Sequence, residues 1–288
     1  MCEKVFVNKK LRARMKYSEK KTKLTMMRKY GTFFMVASVA FMLGFLTGIQ
    51  FEDPQSSIAN VSLEASMNNP KSFATVFSPR GAITIERPGY TLEYDGRTRN
   101  AQWVYECLTS ECLKGKVSRD HFPFQEDPRI PKIFQNTLED FKGSGFDRGH
   151  LAPAADHRVS VEAMRDTFYL SNMSPQVAQF NRGYWVKMEK YVRDLTKSCK
   201  SVHVLTGPLF LPQVEENGKK YVKYQVIGPN NVAVPTHFFK VIAKETSAGR
   251  MQTEAYVLPN QQIAKEIPLH QFKTTMQEVE KVSGVLFQ

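Results

Sequence analysis

Apolar positions recur along this chain with two different periods. Strand-like alternation runs through Tyr90 to Glu93 and Ala101 to Glu106, with Asp95-Gly96 and Asn100 as turn signals between them. Further β-rich runs lie at Ser201 to Leu205, Tyr221 to Ile227, Val232 to Ala243 and Thr253 to Leu258, separated by Gly-Pro, Asn-Gly, Gly-Pro-Asn-Asn and Ser-Ala-Gly punctuation. Together they predict a largely antiparallel sheet. Helical spacing occurs twice. Over roughly 182 to 197, Trp185, Met188, Val192 and Leu195 fall within an arc of about 80°. Asn181 points into that arc, and Glu189 and Arg193 lie just beyond one edge. Leu269, Phe272, Met276, Val279 and Val282 predict an amphipathic C-terminal helix whose stripe belongs to the core.

A third pattern has no polar phase at all. Tyr30 to Phe51 is a run of 22 uncharged residues, rich in Phe, Met, Val and Leu; as a helix it would span about 33 Å, enough to cross a bilayer. The apolar core of a cleaved signal peptide is about 7–15 residues, so the segment reads as a retained anchor rather than a signal. Residues 52 to 79 hold Pro54, Ser56, Ser57, Asn60, Ser62, Pro70 and Ser72 with little apolar periodicity, and read as a linker. The roughly 210 residues beyond it are ample for one core, so the expected organisation is a tail at 1–29, an anchor at 30–51, a linker at 52–79 and a domain at 80–288.

Charge changes this picture less than the total suggests. The chain carries +12, but residues 1 to 29 hold eight Lys and three Arg against Glu3 and Glu19, which is +9 of it, leaving +3 for the other 259 residues. Basicity therefore describes the tail and does not by itself mark the domain as a nucleic-acid binder. By the positive-inside tendency the tail stays on the side of synthesis or in a matrix, with the domain across the membrane. Four cysteines, Cys2, Cys107, Cys112 and Cys199, include one C-x4-C pair and no second Cys or His pair at a comparable interval, so they make no zinc site by spacing; buried or free thiols are favoured, and a disulfide stays open in an oxidising compartment.

The candidate chemistry lies in Asp147-Arg148-Gly149-His150, followed 31 residues later by Asn181 in Asn181-Arg182-Gly183-Tyr184-Trp185, with Glu189 and Arg193 one and two turns beyond Trp185. These residues combine a base, a metal ligand and phosphate-facing cations, the requirements of metal-assisted phosphodiester cleavage. An imidazole titrating near pH 6.5 has a neutral form available to take a proton from water, which suits His150. A lone His is more often a structural hydrogen-bonder, and Asn181 alone would read as a surface helix cap; it is the combination that favours chemistry. His157, His203, His237 and His270 read as structural, and His121 is ambiguous.

The block Phe146 to Leu195, with its flanking Thr167-Phe168-Tyr169-Leu170-Ser171-Asn172 and Ser174-Pro175-Gln176, resembles the DNA/RNA non-specific endonucleases, the ββα-metal family. Downstream, Gly207-Pro208-Leu209-Phe210-Leu211-Pro212, Tyr224 to Gly228 and Val232 to Lys240 resemble the endonuclease G branch of that family, so the likeness covers roughly residues 80 to 288. It implies an α+β fold of the ββα-metal type, a central largely antiparallel sheet flanked by helices, here preceded by one N-terminal transmembrane helix. It implies His150 as general base and Asn181 as the protein's ligand to the catalytic metal, normally Mg²⁺ with Mn²⁺ able to substitute. Glu189 matches the acid that orients water around the ion, and Arg119, Arg148 and Arg193 match positions that hold or polarise the scissile phosphate. Asp147 reads as positioning a loop or an Arg, and Gly149 as permitting close backbone approach. DNA and RNA substrates, a homodimer and the mitochondrial inner membrane facing the intermembrane space are implied by the same likeness. The Lys-biased tail fits a bacterial inner membrane facing the periplasm as well. The competing reading is a catalytically silent, membrane-tethered nucleic-acid-binding protein; intact His150, Asn181 and Glu189 weigh against it.

Overall fold

The structure is a computed structural model describing residues 81–287. The basic tail, the apolar segment and the linker lie outside the described residues. Among the described residues no helix is long and apolar enough to cross a membrane.

The alternation at the start of the domain forms a meander: β1 (Ala82–Glu86), β2 (Tyr90–Asp95) and β3 (Asn100–Leu108) pair antiparallel in sequence order, with a register shift between Glu93 and Tyr94. Next come β4 (Phe146–His150) and β5 (Met173–Val177), which pair only with each other. The central sheet resumes with β6 (Ser201–Leu209), β7 (His237–Glu245), β8 (Met251–Pro259) and the two-residue β9 (Lys273–Thr274), in the order β1-β2-β3-β6-β7-β8-β9. Every pairing in this sheet is antiparallel.

Both faces of the sheet are covered, which is why β7 reads as the nearly unbroken apolar run His237-Phe-Phe-Lys-Val-Ile-Ala243. One face buries Leu92, Val104, Val204, Phe238, Ile242 and Leu258 against Phe180, Tyr184, Trp185, Met188 and Val192. The opposite face buries Phe239, Val241 and Ala255 against Val279 of a C-terminal helix. Three helices frame the hairpin and the sheet: α1 (Val161–Asp166), capped by Ser160, whose side chain accepts from the Ala163 amide; α2 (Val186–Leu195); and α3 (Met276–Ser283). A π-helical turn, Phe180–Trp185, leads directly into α2.

Several expected elements are shorter or differently bounded. The helix expected over 182–197 starts two residues earlier, as the π turn, and ends at Leu195. The run 221–227 is divided, with Lys220–Tyr221 and Val226–Ile227 in separate two-residue strands. The run 232–243 is interrupted between Val232–Ala233 and β7, where Pro235 has no N–H to give a ladder. The C-terminal stripe is cut as well: Leu269–Phe272 is a 3₁₀ turn and β9 intervenes before α3, because pairing with Ala255 and Tyr256 takes the backbone out of the helix.

Candidate active site

The site is built on one hairpin and one helix. Strand pairing sets Gly149 opposite Ser174 and Asp147 opposite Gln176. Side chains alternate across the hairpin, so Arg148 and His150 leave one face while Asp147 and Gly149 leave the other. The helix is attached along this hairpin at successive points. Asn181 Nδ2 donates to Asp147 Oδ2 at 2.9 Å, and one turn later Trp185 Nε1 donates to the His150 carbonyl at 3.3 Å. Two turns further, Arg193 donates to Asp156 Oδ1 at 2.9 Å, in the 3₁₀ turn Ala154–Asp156 that follows β4. Residues 181, 185, 189 and 193 recur every four positions, so these attachments mark one stripe of the helix with Glu189 between them.

His150 sits in an aromatic cradle. Its ring lies edge-on to Phe168 at 5.3 Å and tilted to Phe124 at 5.7 Å between centroids. The same two rings carry the site's arginines: the Arg148 guanidinium lies 4.5 Å over Phe124, and that of Arg119 lies 5.8 Å from the Phe168 centroid. The residue is partly exposed at one edge, but its Nε2 is shielded from solvent and has no hydrogen-bond partner among the described residues. Burial, aided by the charges of Arg119 and His157, lowers the imidazole pKa to about 3. The ring is therefore neutral across the physiological range, with a nitrogen lone pair free to accept.

Asp147 organises the other face. Arg182 forms a two-point ion pair with it, Nε to Oδ2 at 2.8 Å and Nη2 to Oδ1 at 2.7 Å. Burial alone would raise the Asp147 carboxyl, but the hydrogen bonds from Arg182 and Asn181 outweigh it and hold the group below its usual range. A carboxylate only accepts, so Asn181 must present its amide nitrogen to Asp147 and keep its carbonyl oxygen for another partner. Asn181 is the second residue of the π turn, not a helix cap. The Glu189 carboxyl is pushed up to about 8, chiefly by burial, with Lys240 opposing the shift.

No group of three or more His, Cys, Asp or Glu side chains is placed to cage a metal among the described residues. A hard divalent ion that retains most of its waters needs no such cage, and one neutral carbonyl oxygen with a carboxyl nearby is a donor set of that kind. Orphaned buried atoms gather here too: Arg148 Nε, His150 Nε2 and both amide atoms of Gln176 lack partners. The residues present thus fit a hydrated divalent cation beside an anionic ligand.

All six candidate residues named from sequence fall on or beside this hairpin and helix, with Arg119 reaching it from an exposed loop. Sequence reasoning missed the ring platforms, Phe124 and Phe168, and the carboxylate of Asp156. It also missed that Gly149 is approached by a side chain: a Cβ there would lie 2.1 Å from Gln176 Cδ. A signal for the buried charges existed, since Glu106 and Lys240 occupy inward phases of otherwise apolar strands. Of the other histidines, His157 pairs with Glu106 at 2.8 Å, and His203 meets Tyr105 at 2.8 Å and Ser201 at 3.1 Å. Cys107, Cys112 and Cys199 are free thiols.

A family model described as DNA/RNA non-specific endonuclease matches residues 68–288. The chain belongs to that family. It is 52% identical over 201 residues to mitochondrial endonuclease G of Homo sapiens, covering 70% of this chain and 68% of the relative. It is 50% identical over 206 residues to nuclease C1 of Cunninghamella echinulata, covering 70% and 81%, and 43% identical over 243 residues to mitochondrial endonuclease G of Caenorhabditis elegans, covering 82% and 79%. A solved structure of the EndoG/EndoGI complex superimposes with a TM-score of 0.70 at 45% identity, over 71% of this chain and 84% of that one. The chain is accordingly a nucleic-acid-hydrolysing endonuclease similar to endonuclease G, and its family implies a divalent metal ion.

Proposed function

We propose that this protein is a membrane-anchored, Mg²⁺-dependent, sugar-non-specific endonuclease that hydrolyses phosphodiester bonds of DNA and RNA. The observation that carries this reading is the His150 ring, neutral and with an unpartnered Nε2, framed by two arginines on aromatic platforms. His150 takes a proton from water as the water oxygen bonds to phosphorus and the bond to the 3′ oxygen breaks. Arg119, Arg148 and Arg193 hold the phosphate oxygens, for which the planar guanidinium fork is suited. Asn181, oriented by Asp147, holds the ion, and Glu189 orients water around it. When bound, the ion supplies positive charge to the phosphate and to the departing oxygen. Contacts of this kind address phosphates and carry no base code, so no sequence preference is expected.

Residues 30 to 51 serve as the anchor. Relatives named as mitochondrial, from human and nematode, support a mitochondrial location; the inner membrane, with the domain in the intermembrane space, is part of the same proposal and rests on family resemblance. A homodimer is part of the same proposal, carried by family resemblance. Full-length protein in detergent should nick plasmid DNA and degrade RNA in Mg²⁺, and EDTA should stop both. Folded protein that binds DNA and leaves it intact would instead support the silent binding protein. Carbonate extraction tests the anchor: full-length protein should resist it, and deletion of 30–51 should release the domain.

A further inference from the structure

Beneath α2 the sheet carries charge where a core ordinarily carries hydrocarbon. Asp156 is buried and accepts from Arg193. Glu106, on β3, is buried and paired with His157 at 2.8 Å. Lys240, on β7, is buried, donates to Thr206 Oγ1 at 2.5 Å and lies 5.0 Å from the Trp185 ring centroid. Glu106, Asp156, His157 and Lys240 are buried together, and the half-buried Glu189 and Arg193 lie at their edge. Burial opposes charge on His157, but the hydrogen bond and charge of Glu106 outweigh it and raise its pKa, which favours the cationic form. Burying charge is costly unless it is paired, and two pairs meet that cost here, Glu106 with His157 and Asp156 with Arg193.

Asp156 is the buried acid of this set that holds Arg193. It follows His150 by six residues, in the turn after β4, and its partner lies four residues beyond Glu189. The Arg193 side chain is 23% exposed, and its remaining N–H donors make no hydrogen bond among the described residues. A guanidinium held by one edge in this way keeps the rest of its fork for a phosphate. Without the carboxylate, a long side chain with several free torsions would sample many directions.

We propose that Asp156 is a positioning residue: its buried carboxylate fixes the Arg193 guanidinium against the turn following β4, joining the far end of the helix to the strand of His150, while Glu106, His157 and Lys240 provide the surrounding counter-charges. This rests on the reading of Arg193 as a phosphate-facing cation. The pair acts as a unit, so its two members must not contribute independently to turnover.

The test is steady-state cleavage of plasmid by full-length protein in detergent with Mg²⁺, comparing wild type with R193A, D156S, D156N and D156S/R193A. D156S, too short to reach Arg193, should lower kcat roughly 10- to 100-fold with KM nearly unchanged. D156N keeps an oxygen acceptor and should stay within about fivefold of wild type. In the R193A background D156S should cost nothing further. Wild-type kcat in a folded D156S, or the same fold-loss from D156S with and without Arg193, overturns the proposal while leaving the role of Arg193 standing. Full activity in R193A removes the reading on which it rests. If D156S does not fold, D156N in both backgrounds decides: a loss of up to about fivefold that vanishes beside R193A supports the proposal, and no loss, or the same loss in both backgrounds, overturns it.

Discussion

Replacing Gly149 by Ala puts one methyl group into occupied space. An ideal Cβ would lie 2.1 Å from Gln176 Cδ, 2.2 Å from Oε1 and 2.5 Å from Cγ, well inside ordinary van der Waals contact of about 3.5–4.0 Å. Gln176 has no exposed surface into which it could swing. The substitution is therefore an overpacking event, expected to cost about 1–3 kcal/mol, or a fall in melting temperature of roughly 2–4 °C per kcal/mol for a domain of this size. The conflict lies in the far part of one side chain, so removing that part should relieve it. In Gln176→Ala one methylene is lost, at about 0.8 kcal/mol, and the vacated space costs about as much again. Against this, a buried amide with no partner disappears, which recovers about 1–3 kcal/mol. The single Gln176→Ala change should consequently be nearly neutral, and the double variant close to wild type. Urea unfolding of all four proteins gives a coupling free energy directly, expected at about 1–3 kcal/mol in favour of the pair. Gly149 separates Arg148 from His150, so cleavage should fall in G149A and return in the double variant. Additive free energies would show that the approach to Gly149 is not what the strand conformation depends on.

Metal-free protein should lose stability as pH rises from about 6.5 to 8. In that window Glu189, raised to about 8, and His157, raised above its ordinary value, hold protons in the folded state that the unfolded chain has released. Each such proton gives a slope of roughly 1.4 kcal/mol per pH unit. A divalent ion should flatten the Glu189 part; a rising melting temperature over this range without metal would refute the assignment. His150 has the opposite sign, since its folded pKa of about 3 lies below the unfolded value. It penalises folding as pH falls from 6.5 towards 3, and kcat/KM should show no imidazole limb near pH 6; a limb there would contradict the buried geometry. His150→Ala should abolish cleavage with DNA affinity nearly unchanged, as fluorescence anisotropy would report, because a neutral ring acts on the transition state. Asp147→Ala should raise the Mg²⁺ concentration for half-maximal activity roughly 10- to 100-fold by freeing Asn181, and an unchanged Mg²⁺ dependence would remove Asp147 from that role.

The candidate residues were legible because their chemistry is local in sequence. Asp147 to His150 and Asn181 to Arg193 are two short blocks with fixed spacing, and the four-residue recurrence of 181, 185, 189 and 193 follows from helix geometry alone. The alternation of β2 and β3 was equally plain, because each presents different environments on its two sides. Boundaries failed where backbone pairing competed with pattern, as where β9 interrupts the apolar stripe before α3. The N-terminal pattern of tail, apolar run and linker stands as sequence inference, outside the described residues.

What tertiary structure alone decided is the environment of each group. Sequence names an imidazole; only the packing of Phe124 and Phe168 around it, with Arg119 close by, keeps it neutral. Sequence places an acid six residues after His150; only the fold brings Asp156 to Arg193 across 37 residues of chain. Burial, electric field and hydrogen-bond partnership are sums over neighbours distant in sequence, so no local pattern encodes them. The chain by itself determined which reactive groups are present and their order, and folding decided how each one is charged and where it points.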